Sequence, residues 1–327
     1  MTFPLACKPE DRATLRRVSV IVPARNEARH IGACLESLRY ESYPQQLVEI
    51  VVVDNGSTDN TVAIATAANV RVIEQRSGLV GAVRNAGARE SSGDILAFLD
   101  ADCVTSGRWL QTTVALLSEM DVGAAGGGYL ASRNGSWVQL AWAPTEPAPL
   151  AEVSALPGGS LVIRRTTFEA IGGFNELLSA GEDDDLCRRV LAVPLKVVAA
   201  PDAAVIHLGY PETLRAVARR QIWHGSSQLD VATTWREAQL ISTHSFAAGV
   251  LVLSFMIPLP FASSFVYAAS SCAIVGPVLL MAYAKARRRA NPVTTFFRML
   301  PVAFFFYSGR AIGLAKNYWR VAFDQAR

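Results

Sequence analysis

Short apolar runs in the first hundred residues predict strands that are buried in a sheet. The runs occupy residues 18–23 (VSVIVP), 48–54 (VEIVVVD), 70–74 (VRVIE) and 94–100 (DILAFLD). Each is nearly continuous, rich in β-branched residues and bounded by turn residues, which is typical of strands covered on both faces. Between the first two runs, apolar residues recur at helical spacing at Ile31, Cys34, Leu35 and Leu38. This alternation predicts an α/β fold, with a mainly parallel sheet and helices on both of its faces.

Polar residues follow four of the predicted segments, at the point where each one ends. They are Arg25–Glu27, the stretch 54–59 (DNGSTD), the turn 76–78 (RSG) and Asp100–Asp102. In open parallel sheets, ligands bind beyond the carboxyl ends of the strands. The sequence therefore predicts the functional site at this edge of the sheet.

Asp100 and Asp102 close the fourth strand, with only Ala101 between them. In an extended chain, alternate side chains point to the same side, so the two carboxylates would lie together. Like charges at that separation repel unless a cation or hydrogen-bond donors share the site. Mg²⁺ and Mn²⁺ prefer oxygen ligands and commonly bind carboxylates together with substrate phosphates. The pair predicts a platform for a metal and a diphosphate, although a turn or a helix N-cap would also explain these two residues.

Five longer segments carry a family resemblance. They are 18–27 (VSVIVPARNE), 51–61 (VVVDNGSTDNT), 81–102 (GAVRNAGARESSGDILAFLDAD), 158–176 (GGSLVIRRTTFEAIGGFNE) and 181–190 (GEDDDLCRRV). In this order they resemble the motifs of inverting glycosyltransferases of family 2, which have the GT-A fold, and the resemblance covers roughly residues 18–210. It implies transfer of a sugar from a nucleotide-diphosphate donor with the help of a divalent cation, Mn²⁺ or Mg²⁺.

The resemblance also implies roles for individual residues. Asp183 is the expected catalytic base, and Asp102 and His207 are the expected metal ligands. The expected donor-binding residues are Pro23, Glu27, Asp54, Arg84 and Asp100. The expected acceptor region contains Gly159 and Glu182. Trp223 is also expected there, although its segment, residues 219–227 (RRQIWHGSS), could instead rest on the membrane.

The chemistry requires these residue types, because the leaving diphosphate needs its charge neutralised and an acceptor hydroxyl must lose a proton. Simpler explanations stay open for three of them. Asp183 lies in an acidic run that would favour the dipole of its own helix, Arg84 could be a solvated helix position, and His207 could be a structural histidine.

The C-terminal part of the chain predicts membrane association. Residues 246–284 contain no charged side chain over 39 positions. A helix of that length would extend about 58 Å, close to twice the roughly 30 Å hydrocarbon core of a bilayer. We therefore expect a hairpin of two spans over residues 240–284 with a turn at Pro258–Pro260, although a buried helical subdomain is the soluble alternative. The apolar stretch Met299–Gly309 is shorter and predicts an interfacial helix over 293–318, or else a third span.

The charge of the chain is segregated. The net charge is +3, but residues 285–327 hold nine Lys and Arg side chains against Asp324 alone, a local balance of +8. A basic tail after an apolar stretch indicates an anionic membrane surface and not nucleic acid. The N-terminal residues lack the pattern of a cleaved signal peptide, so the basic cluster that starts at Lys285 is expected on the cytoplasmic face. Five scattered cysteines without a C-x-x-C pair indicate reduced thiols.

Together these patterns predict a GT-A domain at residues 1–235 and a membrane-associated helical region at 236–327. The expected function is an inverting glycosyltransferase at the cytoplasmic membrane, with its catalytic domain facing the cytoplasm. The expected donor is a UDP-sugar, with a GDP-sugar or a dTDP-sugar as the alternatives. Its acceptor would be a hydroxyl or phosphate of a lipid-linked or membrane-proximal molecule, either a lipid or a glycan. A nucleotidyltransferase-like enzyme and a catalytically silent membrane scaffold of the same fold are the alternatives.

Overall fold

The computed structural model of the chain describes residues 16–231, 238–256, 264–287, 289 and 291–324. The strands are β1 (Val18–Ala24), β2 (Val48–Asp54), β3 (Arg71–Glu74), β4 (Ile95–Leu99), β5 (Cys103–Val104), β6 (Val122–Gly126), β7 (Tyr129–Leu130), β8 (Ala151–Glu152), β9 (Ser160–Arg164), β10 (Lys196–Ala199) and β11 (Val205–His207). The helices are α1 (Ile31–Arg39), α2 (Thr61–Ala67), α3 (Val80–Arg89), α4 (Trp109–Leu117), α5 (Trp137–Trp142), α6 (Arg165–Ala170), α7 (Glu182–Leu191), α8 (Leu214–Val231), α9 (Ala238–Met256), α10 (Ser264–Ala286) and α11 (Pro292–Asp324).

The larger sheet has eight strands in the order β3-β2-β1-β4-β9-β6-β10-β8. Its first four strands are parallel, and β1 pairs with β2 in one uninterrupted register from Val18 opposite Val48 to Ala24 opposite Asp54. These four strands coincide with the four predicted apolar runs, so the predicted α/β fold with a mainly parallel sheet is confirmed. Strand β1 has β2 on one side and β4 on the other, so the strand order reverses between β1 and β4. Ligands bind at such a switch point in open α/β sheets.

Both faces of this sheet are covered, as the continuous apolar runs predict. Along β1, Val20 and Val22 belong to the core under helix α1, whereas Ile21 belongs to the core on the opposite face, under α3. Trp109, at the start of α4, is fully buried, and its indole N–H donates to Ser160 Oγ at 3.2 Å. The loops at the carboxyl edge of the sheet therefore extend from strands that are packed on both faces.

A second, three-stranded sheet has the order β5-β11-β7. Strand β11 runs antiparallel to β5, which places His207 opposite Cys103, and parallel to β7. The chain divides into two compact units, one of residues 1–130 and 146–209 and the other of residues 131–145 and 210–327. Both sheets belong to the first unit. The first unit ends at residue 209, and the second continues from residue 210. The domain boundary predicted at about residue 235 stays a prediction.

The second unit is helical. Its core forms where α5, α8, α9, α10 and α11 contribute buried apolar side chains, among them Val138, Val217, Phe246, Ala282 and Phe306. Within the described residues, one helix is long and apolar enough to cross a membrane, at Val266–Ala286. The predicted turn at Pro258–Pro260 lies outside the described residues. The predicted hairpin of two spans over residues 240–284 therefore stays a prediction. The predicted interfacial segment 293–318 lies within α11, and its position at an interface is likewise a prediction.

Candidate active site

Asp54 ends β2 and organises the loop that follows it. Its carboxylate accepts the backbone N–H groups of Gly56 and Ser57, each at 3.1 Å from Oδ2. Gly56 adopts a left-handed conformation with φ of +74°, which permits this tight turn. Because a carboxylate has more acceptor positions than these bonds use, Asp54 can hold its loop and still accept a hydrogen bond from a ligand.

Glu27 follows β1 and lies next to the carboxylates that follow β4. Its Oε2 contacts His30 Nδ1 at 3.0 Å, and its backbone N–H donates to Thr61 Oγ1 at 2.7 Å. Burial raises the pKa of Glu27; His30 opposes this shift, whereas the negative charges of Asp102 and Asp100 add to it. The sheet edge therefore brings three acidic side chains into electrostatic contact.

Arg84, on helix α3, joins two acidic side chains from distant parts of the chain. Its Nη2 donates to Asp100 Oδ1 at 2.7 Å, and its Nη1 donates to Glu182 Oε1 at 2.6 Å. The guanidinium is buried, and its Cζ lies 5.3 Å from the centre of the Phe174 ring. Arg84 therefore fixes the end of β4 relative to the start of α7, and the solvated helix position that was its simpler explanation does not apply.

The pKa values of these two acids shift in opposite directions. Burial would raise the pKa of Asp100, but Arg84 and a hydrogen bond from Tyr129 outweigh burial and lower it. For Glu182, burial is the largest cause and raises the pKa, with Asp183 adding to it and Arg84 only partly offsetting it. Burial would also lower the pKa of Arg84, but the two carboxylates outweigh it, so the guanidinium stays charged.

Tyr129 and two glycines complete the environment of Asp100. The Tyr129 hydroxyl donates to Asp100 Oδ2 at 2.8 Å and accepts the N–H of Gly159 at 2.9 Å. A side chain at Gly159 would collide with the Asp100 carboxyl group. The neighbouring Gly158 donates its N–H to Asp183 Oδ2 at 2.8 Å. One short loop before β9 thus positions both Asp100 and Asp183.

Asp183 and Asp185 lie in the same acidic first turn of α7 but have different partners. Asp185 pairs with Arg188 and with Arg189, the latter at 2.8 Å, so it stabilises its own helix. Asp183 is partly exposed and contacts the Gly158 loop. The structure therefore separates a helix-stabilising acid from one that faces the site.

Asp102 and His207 form the candidate metal centre. Asp102 Oδ2 lies 3.5 Å from His207 Nε2, and Cys103 completes a group whose ligand atoms all lie within 4.8 Å of one another. Burial raises the pKa of the Cys103 thiol, which keeps it protonated and a poor ligand. A carboxylate and an imidazole suit Mn²⁺, and phosphate oxygens of a substrate commonly supply further ligands. The residues present therefore fit a divalent cation.

The remaining predicted residues lie in separate places. Pro23 is opposite Val53 in the pairing of β1 with β2. Trp223 is on α8 in the second unit, with 60% of its side chain exposed, and its acceptor role stays a prediction. The sequence interpretation missed Tyr129, which directly follows three glycines at 126–128, and that run was the available signal for a crowded turn near the site.

Two family models match the chain. The model described as Glycosyl transferase family 2 matches residues 19–170, and the one described as Glycosyl transferase family group 2 matches residues 95–286. The two matches together include all the segments with the resemblance described above, except for Val18.

Individual proteins give the same result. Glycosyltransferase AglE of Haloferax volcanii is 29% identical over 263 residues, which cover 76% of this chain and 84% of AglE. Pre-mycofactocin glycosyltransferase of Mycobacterium tuberculosis is 27% identical over 235 residues, 67% of this chain but only 48% of that protein. Among solved structures, mannosyltransferase PcManGT from Pyrobaculum calidifontis, in complex with GDP-Man and Mn²⁺, superposes with a TM-score of 0.55 at 19% identity, covering 93% of this chain and 88% of that one. At that identity the likeness is one of fold.

Proposed function

Because the chain belongs to the family 2 glycosyltransferases, we propose that it transfers a sugar, with inversion, from a nucleotide-diphosphate sugar to a lipid-linked or membrane-proximal acceptor. The observation that carries this proposal is the convergence of Asp102 and His207 beside the carboxyl end of β4, at 3.5 Å and from parts of the chain about a hundred residues apart. The structural neighbour PcManGT, solved in complex with GDP-Man and Mn²⁺, supports a nucleotide sugar as the donor. The base of the nucleotide would be uracil, guanine or thymine.

The residues of the sheet edge would divide the work of binding the donor. Glu27 and Asp54 would contact the nucleoside, and Asp100, held by Arg84 and Tyr129, would face the ribose. Asp102 and His207 would hold the cation. A bound divalent cation neutralises the charge that develops on the leaving diphosphate, without moving a proton.

Asp183 is the better placed of two adjacent acids to act as the general base. The carboxylate of Glu182 is buried and bonded to Arg84 at 2.6 Å, so it cannot approach an acceptor hydroxyl. Asp183 is partly exposed, and the Gly158 N–H fixes its orientation through one oxygen. We propose that Asp183 takes the proton as the acceptor oxygen attacks the anomeric carbon, on the face opposite the bond to phosphate that breaks.

The place of the reaction is proposed from the C-terminal helices. One of them, Val266–Ala286, has the length and hydropathy of a membrane span; Lys285 is its penultimate residue, and Arg287 directly follows it. Basic residues at the end of a span favour the cytoplasmic side. We propose a cytoplasmic catalytic domain on a membrane hairpin. Reporter fusions at Pro260 and at the C-terminus test this topology, and an external signal from the C-terminal fusion would refute it.

The activity is tested with a panel of UDP-, GDP- and dTDP-sugars in the presence of Mn²⁺ or Mg²⁺. A donor at one hundred times its dissociation constant stabilises the folded state by about 2.7 kcal/mol, which a thermal-shift assay detects. We expect the shift to require the cation and to be lost in Asp102→Asn. A matched control is Asp121→Asn, which removes an exposed acid that pairs with Lys196 at 3.0 Å. Equal shifts in both variants would refute the assigned metal site.

The products distinguish the proposed reaction from its alternatives. With these donors, glycosyl transfer or donor hydrolysis releases a nucleoside diphosphate, whereas nucleotidyl transfer releases a sugar 1-phosphate. A silent scaffold would release neither. Release of a sugar 1-phosphate, or no turnover with any donor of the panel, would count against the proposed function.

A further inference from the structure

The helical unit contains a cavity of about 210 Å³ that the proposed function does not use. Three of its lining residues are basic and come from three helices, Arg220 on α8, Lys285 on α10 and Arg310 on α11. None of the described lining residues is acidic; the others are Trp142, Pro211, Val217, Gln221, Met281 and Phe306. The cavity therefore combines concentrated positive charge with apolar and aromatic walls.

Aromatic and amide groups hold two of these cations in place. Lys285 Nζ lies 5.0 Å from the centre of the Trp142 ring and 3.4 Å from the Trp142 carbonyl oxygen. The Arg310 guanidinium lies 4.9 Å from the centre of the Phe306 ring, and its Nε donates to Gln221 Oε1 at 2.9 Å. These contacts fix the positions of the charges before a ligand binds, which reduces the entropy that binding would cost.

The same cavity lies at the end of the candidate membrane span. Lys285 is the penultimate residue of Val266–Ala286, and Leu280 and Tyr283 on that helix are 64% and 59% exposed. A lysine at the end of a span extends its ammonium toward the lipid headgroups, while apolar side chains along the helix contact the acyl chains. The structure thus offers a basic cavity at headgroup level with an apolar surface beside it.

We propose that this cavity binds the terminal phosphate or diphosphate of a membrane lipid. Its volume is below the roughly 300 to 1,000 Å³ of pockets that enclose drug-sized ligands, so it suits a headgroup and not a nucleotide sugar. A terminal phosphate carries about 1.5 to 2 negative charges at neutral pH, which suits three cations better than the single charge of a phosphodiester.

The inference rests on the proposed function and narrows the class of its acceptor. A phosphate enclosed by cations is bound and not poised to attack, and Asp183 as a base implies a hydroxyl nucleophile. The acceptor class that satisfies both is a sugar joined to a lipid through diphosphate, because that linkage keeps two negative charges for the cavity to bind while a sugar hydroxyl reacts.

Binding is measured by calorimetry on the full chain in uncharged dodecyl maltoside micelles. The probes are farnesyl phosphate, farnesol and inorganic phosphate, which separate the headgroup from the tail. The test variants are Lys285→Gln and Arg220→Gln. Their matched controls are Arg287→Gln and Arg219→Gln, which remove nearby exposed cations that do not line the cavity. Thermal melting of every variant verifies folding.

We expect farnesyl phosphate to bind at least ten times more tightly than farnesol or inorganic phosphate. Each test variant should weaken it about tenfold, and each control less than about twofold, because a lost charge-assisted hydrogen bond costs roughly that factor. Inorganic phosphate binding as tightly as farnesyl phosphate would overturn the lipid assignment. Controls that weaken binding as much as the test variants, or test variants that bind like the parent chain, would overturn the cavity.

The measurement needs neither donor nor transfer, so it is separable from the proposed function. A chain that binds farnesyl phosphate through the cavity but turns over no nucleotide sugar would refute the proposed function alone. A chain that transfers sugar to a phosphate-free acceptor and does not bind farnesyl phosphate would refute this inference alone.

Discussion

Replacing Arg84 with methionine should destabilise the first unit, because it leaves two buried carboxylates without their shared cation. The side chains of Arg84, Glu182 and Asp100 are 4%, 8% and 26% exposed, so solvent replaces little of the lost interaction. Breaking a buried ion pair by removing one partner costs about 3 to 5 kcal/mol. Because Asp100 is partly exposed to solvent, we use the lower end of this range, a loss of about 3 kcal/mol in the free energy of unfolding. For a unit of this size, that loss lowers the melting temperature by roughly 6 to 12 °C.

The loss should depend on pH in a defined direction. In the parent chain Asp100 has a lowered pKa, so its contribution to stability is present at neutral pH and is lost as the pH falls through its folded pKa. In Arg84→Met, both carboxylates stay buried without a cation, their pKa values rise, and each costs stability once the pH exceeds the usual value near 4. The gap in melting temperature between parent and variant should therefore widen from about pH 4.5 to pH 7.

The matched control is Arg89→Met on the same helix, where the side chain is 63% exposed and lies 3.5 Å from Glu176. An exposed substitution of this kind changes stability by about 0.5 kcal/mol or less. Melting is followed by calorimetry on the full chain in detergent at both pH values. Equal melting temperatures for the two variants at pH 7, or a gap that does not shrink at pH 4.5, would refute the reasoning. Adding Glu182→Gln to Arg84→Met should restore part of the loss.

Three further changes test the site. Asp102→Asn should keep the fold but lose Mn²⁺-dependent donor turnover, as should removal of the cation from the parent chain with EDTA; unchanged turnover at the same Mn²⁺ concentration would be incompatible with a metal ligand. Asp183→Asn should bind donor normally in calorimetry but transfer sugar about 10² to 10⁴ times more slowly, and an equal loss of donor binding would move it out of the base role. Gly159→Ala should weaken donor binding, because its Cβ collides with Asp100, whereas Gly128→Ala, which has open space, should not; equal donor affinity would show that the loop can yield.

The fold was predictable because local sequence and global structure agree in the parallel half of the sheet. Strand β2 was predicted with its observed ends, since a short run rich in β-branched residues is typical of a strand buried on both faces. The antiparallel strand β9, between β4 and β6, was not placed in advance. Its position depends on pairing between residues far apart in the chain, such as Leu99 and Ser160, which are 61 positions apart, and no local pattern specifies such a pairing.

The candidate site was predictable in its residue types but not in its connections. Asp100, Asp102 and Asp183 were identified from their motifs, whereas the link from Arg84 to Glu182 spans 98 positions and becomes visible only when α3 and α7 are packed. The same holds for Tyr129, whose hydroxyl reaches Asp100 across 29 positions. Helix ends and strand ends are brought together by tertiary packing, which a single sequence does not record.

Because Trp109 is buried in the first unit, its fluorescence can report on the folding of that unit separately from the helical second unit. Of the six tryptophans in the chain, Trp109 alone belongs to the first unit, since the others are at positions 137, 142, 223, 235 and 319. Its indole is fully enclosed and bonded to Ser160, next to Gly159, so it should emit at short wavelength when the unit is folded and shift to the red when water enters. A chain that keeps Trp109 and has phenylalanine at the other five positions would report, by its fluorescence alone, on the sheet that carries Asp100 and Asp102.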